Sequence, residues 1–288
     1  MYEFHTPCAE DVHWLRKTLS EAQSPCCDYT VGNLLGWSLF FNEKIAKIEN
    51  CLVLNIDKNQ LFGFPQGHNY KNALNAICRE YENPSFFLLT ENECKILNEQ
   101  FPGQYAFYPS ENHYDYVYRT EDLATLKGRK YHSKRNHISF FEKNYDWKYE
   151  ELSADSLAEC IKMNEEWFLE NEEKDPYGID IEHQVLNFAL ENYGELNFRG
   201  GLIRIDGKIA AFTFGEKLND NTFNTHFEKA YSCIRGAYPM INMLFARETI
   251  NDFDLVNRED DAGSEGLRKA KFSYHPAFIV EKYTAVKI

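Results

Sequence analysis

The sequence predicts an α/β (α+β) protein made of two successive halves, each a mixed central sheet flanked by helices. Three observations predict this. The chain has 288 residues, 43% of them apolar and including 22 Phe and 18 Tyr, which is comfortable for two cores. Helix-type and strand-type segments alternate, and their order recurs on either side of a basic stretch at 127–148. Asp206-Gly207, set between alternating apolar residues, is a strong hairpin signal in the second half.

The elements follow in order. Residues 12–50 carry helical periodicity, first in VHWLRKTLSEA, where Val12, Leu15 and Leu19 form one stripe. After a break at Pro, Cys and Asp it resumes in VGNLLGWSLFFNEKIAKI. CLVLNI and QLFGFPQG read as two strands around a turn at Asp57-Lys58-Asn59. NYKNALNAICREYEN is helical and stops at Asn83-Pro84, and SFFLLT is a short buried strand. Thr90 and Glu93 form a capping box for ENECKILNEQF. QYAFYPSENHYDYVYRT holds two strands. The basic stretch is helical after Gly128, with Tyr131, Ile138 and Phe141 on its apolar side. WKYEEL is a strand, a long helix starts at a Ser153 cap, and a second helix ends at Gly194. The Asp206-Gly207 hairpin and the strand NTFNTHFEKA come next. A helix follows with Pro239 at its opening, then the strand FDLVNRE, a short basic helix, and FIVEKYTAVKI as a closing strand.

The net charge is −14, yet residues 127–148 contain seven Lys and Arg against two acids. Such a balance disfavours broad coating by nucleic acid and leaves room for a local basic groove. The eight Cys are scattered without a Cys-x-x-Cys pair, so reduced thiols and no metal site are expected. No apolar stretch approaches the ~20 residues of a membrane helix, and the first residues lack a signal-peptide pattern. The expectation is a cytoplasmic protein of unspecified oligomeric state.

Two segments invite a chemical reading. A strand ending near Ala230 runs through YSCIRGAYP into a helix, the generic layout of an anion site at a helix N-terminus. The alternative is a tight turn with Arg235 in solvent. In DAGSEGLRKAKFSYHP, a short helix would bring Arg268 and Lys271 back over the sheet; the alternative is an exposed basic connector.

DYTVGNLLGW, YVYRTEDLATLKGRKYHSKRNHISFF and NREDDAGSEGLRKAKFSYHP, in that order, resemble the family related to the C-terminal domain of phosphatidylglycerol lysyltransferase. That family lies within the GNAT acyltransferases and is close in architecture to the Fem peptidoglycan aminoacyltransferases. The resemblance implies two tandem GNAT-like domains, 1–125 and 126–288, with the donor site in the second. It places Arg235, Gly236 and Ala237 at the pyrophosphate turn, with Asn242 on the helix beyond. The usual pattern separates the Arg from the Gly by two residues, whereas Arg235 directly precedes Gly236 here. It also places Lys271 facing the donor or substrate. Lys127, Arg129, Lys130, Lys134 and Arg135 would then hold phosphates of a tRNA acceptor end or of CoA, unless they form only a solvated helix face.

The activity so implied is transfer of an acyl or aminoacyl group to an amine or hydroxyl. The donor substrate is aminoacyl-tRNA or acyl-CoA, and no cofactor is tightly bound. His226, Glu228, Asp260, Asp261 and Tyr274 are the candidate acids and bases. His226 and Glu228 share strand parity and should face one side. A CoA-dependent N-acetyltransferase, or a non-catalytic binding module on the same fold, are the alternatives.

Overall fold

The computed structural model describes residues 2–56, 60–171 and 176–288. The first half carries α1 (Val12–Ala22), α2 (Val31–Phe41), β1 (Glu43–Ile48), β2 (Cys51–Ile56), β3 (Leu61–Gly63), α3 (Tyr70–Glu80), β4 (Ser85–Leu89), α4 (Glu91–Gln100) and β5 (Tyr105–Pro109). Then come β6 (Asp115–Arg119), α5 (Thr120–Thr125), the basic helix α6 (His132–Asn144), β7 (Trp147–Glu151), α7 (Leu157–Asn171), α8 (Pro176–Glu191), β8 (Arg199–Ile205), β9 (Lys208–Lys217) and β10 (Thr222–Ala230). The chain ends with α9 (Ala237–Leu244), β11 (Leu255–Asn257), α10 (Glu265–Phe272), β12 (Phe278–Val280) and β13 (Tyr283–Lys287).

Two mixed sheets form. Their strand orders are β1-β2-β3-β4-β13-β5 and β12-β6-β11-β10-β9-β8-β7. Each is an antiparallel meander joined to the rest by a single parallel pair, β3 with β4 in one and β10 with β11 in the other. One apolar core lies between α3, α4 and the first sheet, and another between α5, α6, α9 and the second. The third is shared, with side chains from α1, α2, β2, α8 and β9.

Sheet membership does not follow a cut at 125/126. β6 precedes that point but sits in the second sheet between β11 and β12, while β13, at the end of the chain, sits in the first between β4 and β5. Each sheet therefore contains one strand from the other side of that cut. FIVEKYTAVKI is accordingly two strands on two sheets, parted at Glu281-Lys282.

Several elements match the sequence reading and some do not. Thr90 and Glu93 make the expected reciprocal capping box, and Asp206 and Gly207 turn the hairpin with φ of 49° and 80°. The helical reading of Glu43–Ile48 is overturned. Asn42, at φ 53°, ends α2, and Glu43–Ile48 pairs antiparallel with Cys51–Ile56. Ile45 and Ile48 fit a helical stripe as well as a strand, so the partner strand decides. Helix α8 ends at Glu191, before Gly194, and α9 opens at Ala237 behind a Gly236 N-cap, so that Pro239 is its third residue. The turn expected at Asp57-Lys58-Asn59 lies outside the described residues.

Candidate active site at the junction of the halves

A cleft of ≈ 660 Å³ opens where the two halves meet. One side is apolar, with Trp37 and Phe41 of α2 and Leu54, Ile56 and Phe87 of the first sheet. The other is acidic, with Asp28, Glu259 and Asp260, and Glu43 stands at the start of β1.

The acidic side is built on the parting of β10 and β11, which pair in parallel only over Thr222–Asn224 and Leu255–Asn257. A β-bulge between Thr225 and Phe227 makes His226 the extra residue in β10. Its Nδ1 lies 2.8 Å from Glu259 Oε1 and its Nε2 3.0 Å from Glu216 Oε1. Burial alone would lower the imidazole, but the hydrogen bonds to Glu216 and Glu259 outweigh it and raise the group to about 9. The ring is therefore a cation at neutral pH with both N–H groups engaged, which removes His226 as a general base.

Glu259, like Asp28, Glu43, Glu216 and Lys282, is absent from the candidates read from the sequence. Its backbone sits at φ 60°, unusual for a long side chain and costing about 1–2 kcal/mol. Oε1 accepts from Asn33 Nδ2 at 2.9 Å, Asn224 Nδ2 at 2.7 Å and His226 Nδ1 at 2.8 Å. Oε2 has no hydrogen bond among the described residues. Glu216 in turn accepts from the Gly32 N–H at 2.6 Å, near the N-terminus of α2, where helix dipole and free amides favour a carboxylate. A Cβ on Gly32 would lie 2.7 Å from Glu216 Oε1 and from the Phe198 ring, so only glycine allows this approach. Gly32 and Asn33 belong to DYTVGNLLGW, the motif that could have revealed them.

Asp260 is held below the usual carboxylate range. Burial opposes this, but His113, 3.5 Å away, and the charges of Lys282 and Lys271 outweigh it. Glu43 is pushed up to about 7, first by burial and then by the charge of Asp28. Behind Asp28, the fully buried Lys282 pairs with Asp28 and, at 2.6 Å, with Asp115. Asp115 also accepts from Asn257 Nδ2 at 2.9 Å and from the Cys27 N–H at 2.8 Å.

The bulge also overturns the expected shared side of His226 and Glu228. The extra residue shifts parity, so Glu228 faces α9, with Oε2 accepting from Asn242 Nδ2 and Oε1 from Arg258 Nη2, both at 3.1 Å. Arg258 lies over the Tyr274 ring at 4.9 Å and Lys134 Nζ over the same ring at 3.8 Å. Burial and the charge of Arg258 push Lys134 down to about 8 against the pull of Glu228. Burial raises the Tyr274 hydroxyl, so its ring serves as a cation platform rather than as a base. The late basic segment and α6 thus meet at Tyr274.

Most other predicted site residues have structural partners. Asp261 accepts from Arg268 Nε at 2.8 Å and the Tyr116 hydroxyl at 2.6 Å, so both charges of that pair are spent on each other. Lys271 Nζ donates to the carbonyls of Asp260 and, at 2.6 Å, Arg258, and so positions the loop bearing Glu259. Arg135 donates to the Gly128 carbonyl at 2.7 Å and also to that of Leu126, closing the turn after α5. Lys127 and Lys130 lie 3.9 and 3.5 Å from Glu121 and Asp122, weak exposed pairs that leave both on the surface with Arg129. The expected pyrophosphate turn is packed against α6. Arg235 lies over the Phe140 ring at 4.3 Å, Ala237 is buried, and a Cβ on Gly236, at φ 91°, would lie 2.4 Å from the His137 carbonyl oxygen.

The His226 geometry predicts a pH dependence. A raised folded pKa gives stability that is fully present below the free value of 6.5 and is lost as pH rises through about 9. The loss is on the order of 3 kcal/mol. Urea denaturation of wild type and His226→Gln across pH 7–10, above the range in which Glu43 titrates, measures it, and the variant should lose most of the decline.

Residues 26–286 match the family described as "Phosphatidylglycerol lysyltransferase, C-terminal". An uncharacterized protein of Mycoplasmoides gallisepticum (strain R(low / passage 15 / clone 2)) is 28% identical over 177 residues, 60% of this chain. The match spans 56% of that curated relative's length. A conserved protein of unknown function from Bacteroides thetaiotaomicron VPI-5482 superposes over 100% of both chains, with TM-score 0.92 and 34% identity. The structure of L-PGS from Bacillus licheniformis covers 98% of this chain and 93% of its own at TM-score 0.65 and 15% identity, a likeness of fold. FemX covers 99% of this chain and 97% of its own at TM-score 0.56 and 10% identity, again a likeness of fold, and no helix among the described residues is long and apolar enough to cross a membrane. With three quoted motifs and a match over nearly its whole length, the chain belongs to the phosphatidylglycerol lysyltransferase C-terminal family.

Proposed function

We propose that this chain is an aminoacyl transferase that takes its aminoacyl group from an aminoacyl-tRNA and passes it to an amine or hydroxyl. The observation that carries this reading is the acidic side of the cleft. Asp28, Glu259 and Asp260 face a space whose apolar wall is Trp37, Phe41, Leu54, Ile56 and Phe87, with Asn33, Asn112, His113 and Thr284 also lining it. An aminoacyl ester carries an ammonium beside its reacting carbonyl, whereas an acetyl thioester carries none. Carboxylates at that point favour the first and give the second nothing. The packing of Gly236 against α6 also counts against a CoA pyrophosphate turn there.

In this reading Glu259 and Asp260 hold the ammonium and so orient the ester carbonyl. Glu43 takes the proton from the attacking nucleophile, since its carboxyl, at about 7, is matched to neutral pH. The His226 imidazolium locks Glu259 in place. Lys127, Arg129 and Lys130 meet phosphates of the acceptor stem.

The test is single-turnover transfer with a panel of labelled aminoacyl-tRNAs and, separately, labelled acetyl-CoA, each offered amine and hydroxyl acceptors. Loss of label from tRNA to an acceptor supports the reading. Transfer from acetyl-CoA alone would establish the N-acetyltransferase, and tight binding without turnover the non-catalytic module.

A further inference from the structure

The segment ahead of α1 brings together three metal-ligating side chains, none of which serves the cleft: His5, Cys8 and Asp11. The backbone of His5 pairs in both directions with Ile45 on β1, at 3.1 and 2.8 Å, which fixes the start of the segment to the edge of the first sheet. Cys8 donates to Asp11 Oδ2 from its backbone N–H at 3.0 Å and from Sγ at 3.2 Å. His5 Nε2 lies 2.9 Å from the same oxygen. The Trp14 indole N–H donates to Asp11 Oδ1 at 2.7 Å and orients the carboxylate from behind.

We propose that His5, Cys8 and Asp11 form a zinc site, with His5 Nε2, Cys8 Sγ and Asp11 Oδ2 as three ligands and the fourth position open to water. A tetrahedral zinc needs donor atoms about 3.3–3.6 Å apart. The two spacings to Asp11 reach this from 2.9 and 3.2 Å by opening a few tenths of an ångström, and all three ligand atoms lie within 4.8 Å of one another. On binding, the ion replaces the Cys8 thiol proton, which passes to solvent, and His5 gives up its hydrogen bond to Asp11 and ligates through Nε2 as the neutral Nδ1–H tautomer. One thiolate and one carboxylate then balance the two positive charges. A nitrogen, sulfur and oxygen donor set suits zinc and disfavours magnesium or calcium, which take oxygen. Trp14 supplies the outer hydrogen bond that well-built metal sites give their ligands.

A second cluster shows by contrast why this one suits an ion. Cys27, Asp28 and Asp115 also bring thiol and carboxylate donors together. There the ammonium of Lys282 pairs with both carboxylates, so the fold supplies its own cation. Among the described residues no Lys or Arg pairs with Asp11, whose one basic partner is His5. His5 and Cys8 are both exposed, so an ion has a path in. A bound ion would pin the leading segment along β1, the outer strand of its sheet, and cover an edge otherwise open to pairing.

The test uses the full chain, reduced and stripped of metal, titrated first with Co2+ as a spectroscopic stand-in and then with Zn2+. The expected result is one ion per chain, with a thiolate-to-cobalt charge-transfer band and the strong visible bands of a four-coordinate ion, all bleached by zinc. Cys8→Ser should abolish the charge-transfer band, and His5→Ala should weaken zinc binding at least about tenfold. Cys233→Ser, at the other exposed cysteine, should leave both unchanged. Circular dichroism of each variant separates loss of binding from loss of fold. Absence of the band in the wild type, or its persistence in folded Cys8→Ser, overturns the proposal.

Discussion

If the proposed transfer runs through Glu43, Glu43→Gln should lower its rate by about 10²–10⁴-fold, the range expected when a general base is lost, with little change in donor affinity. The wild-type rate should rise with pH through about 7, where Glu43 ionises, and the variant should lose that limb. Stability should move the other way. A carboxyl raised from 4.5 to about 7 costs the folded state more as pH climbs between those values. A neutral amide has no such cost, so Glu43→Gln should be at least as stable as wild type at pH 8. A slow enzyme that is not less stable isolates a catalytic role from a structural one. Transfer rates from pH 5.5 to 8.5, with thermal denaturation of the same samples, decide it. A rate within threefold of wild type would remove Glu43 as the base.

Lys282→Met should destabilise the chain by about 3–5 kcal/mol at neutral pH. Lys282 is fully buried, and its ammonium is the partner of Asp115, which is also fully buried. Removing it leaves that carboxylate in the interior beside Asp28 without a countercharge. The site is also a topological crossing, because Lys282 lies between β12 in the second sheet and β13 in the first. Pairing Lys282→Met with Asp115→Asn should recover part of the loss, since the uncompensated charge goes with its partner. Urea denaturation of both single variants and the double variant measures the coupling. Equal stability of wild type and Lys282→Met would mean that the pair does not hold the junction.

The sequence was most informative where structure is local. The capping box at Thr90 and Glu93, the hairpin at Asp206-Gly207 and the α/β alternation each depend on a few neighbouring residues. What it hid is non-local. Nothing in YTAVK announces that this strand leaves its neighbour β12 and pairs with β4 and β5 more than 170 residues earlier. Glu43–Ile48 reads as helix until β2 is there to pair with it. The site followed the same rule. His226 and Asp260 were named from the sequence, and both adjoin the cleft's acidic side. The parity argument for Glu228 failed because one bulged residue reverses every later side chain in a strand. Glu259 sat beside named residues and was missed because its role depends on a left-handed backbone and on donors from Asn33 and Asn224. The basic run also acquired a mixed answer. Arg135 is spent on carbonyls and Lys134 on an aromatic ring, while Lys127, Arg129, Lys130, Lys143 and Lys148 remain at the surface.

The central claim is that the acidic side of the cleft holds the ammonium of an aminoacyl group. Calorimetric binding of a stable amide-linked aminoacyl-adenosine, compared with its counterpart lacking the α-amino group, tests this most directly in wild type and Asp260→Asn. The account predicts that wild type binds the amino form at least tenfold more tightly and that Asp260→Asn loses most of that preference, as expected for a charge-assisted contact worth about 1.5–3 kcal/mol. Equal binding of the two ligands by wild type, or an unchanged preference in the variant, would contradict it.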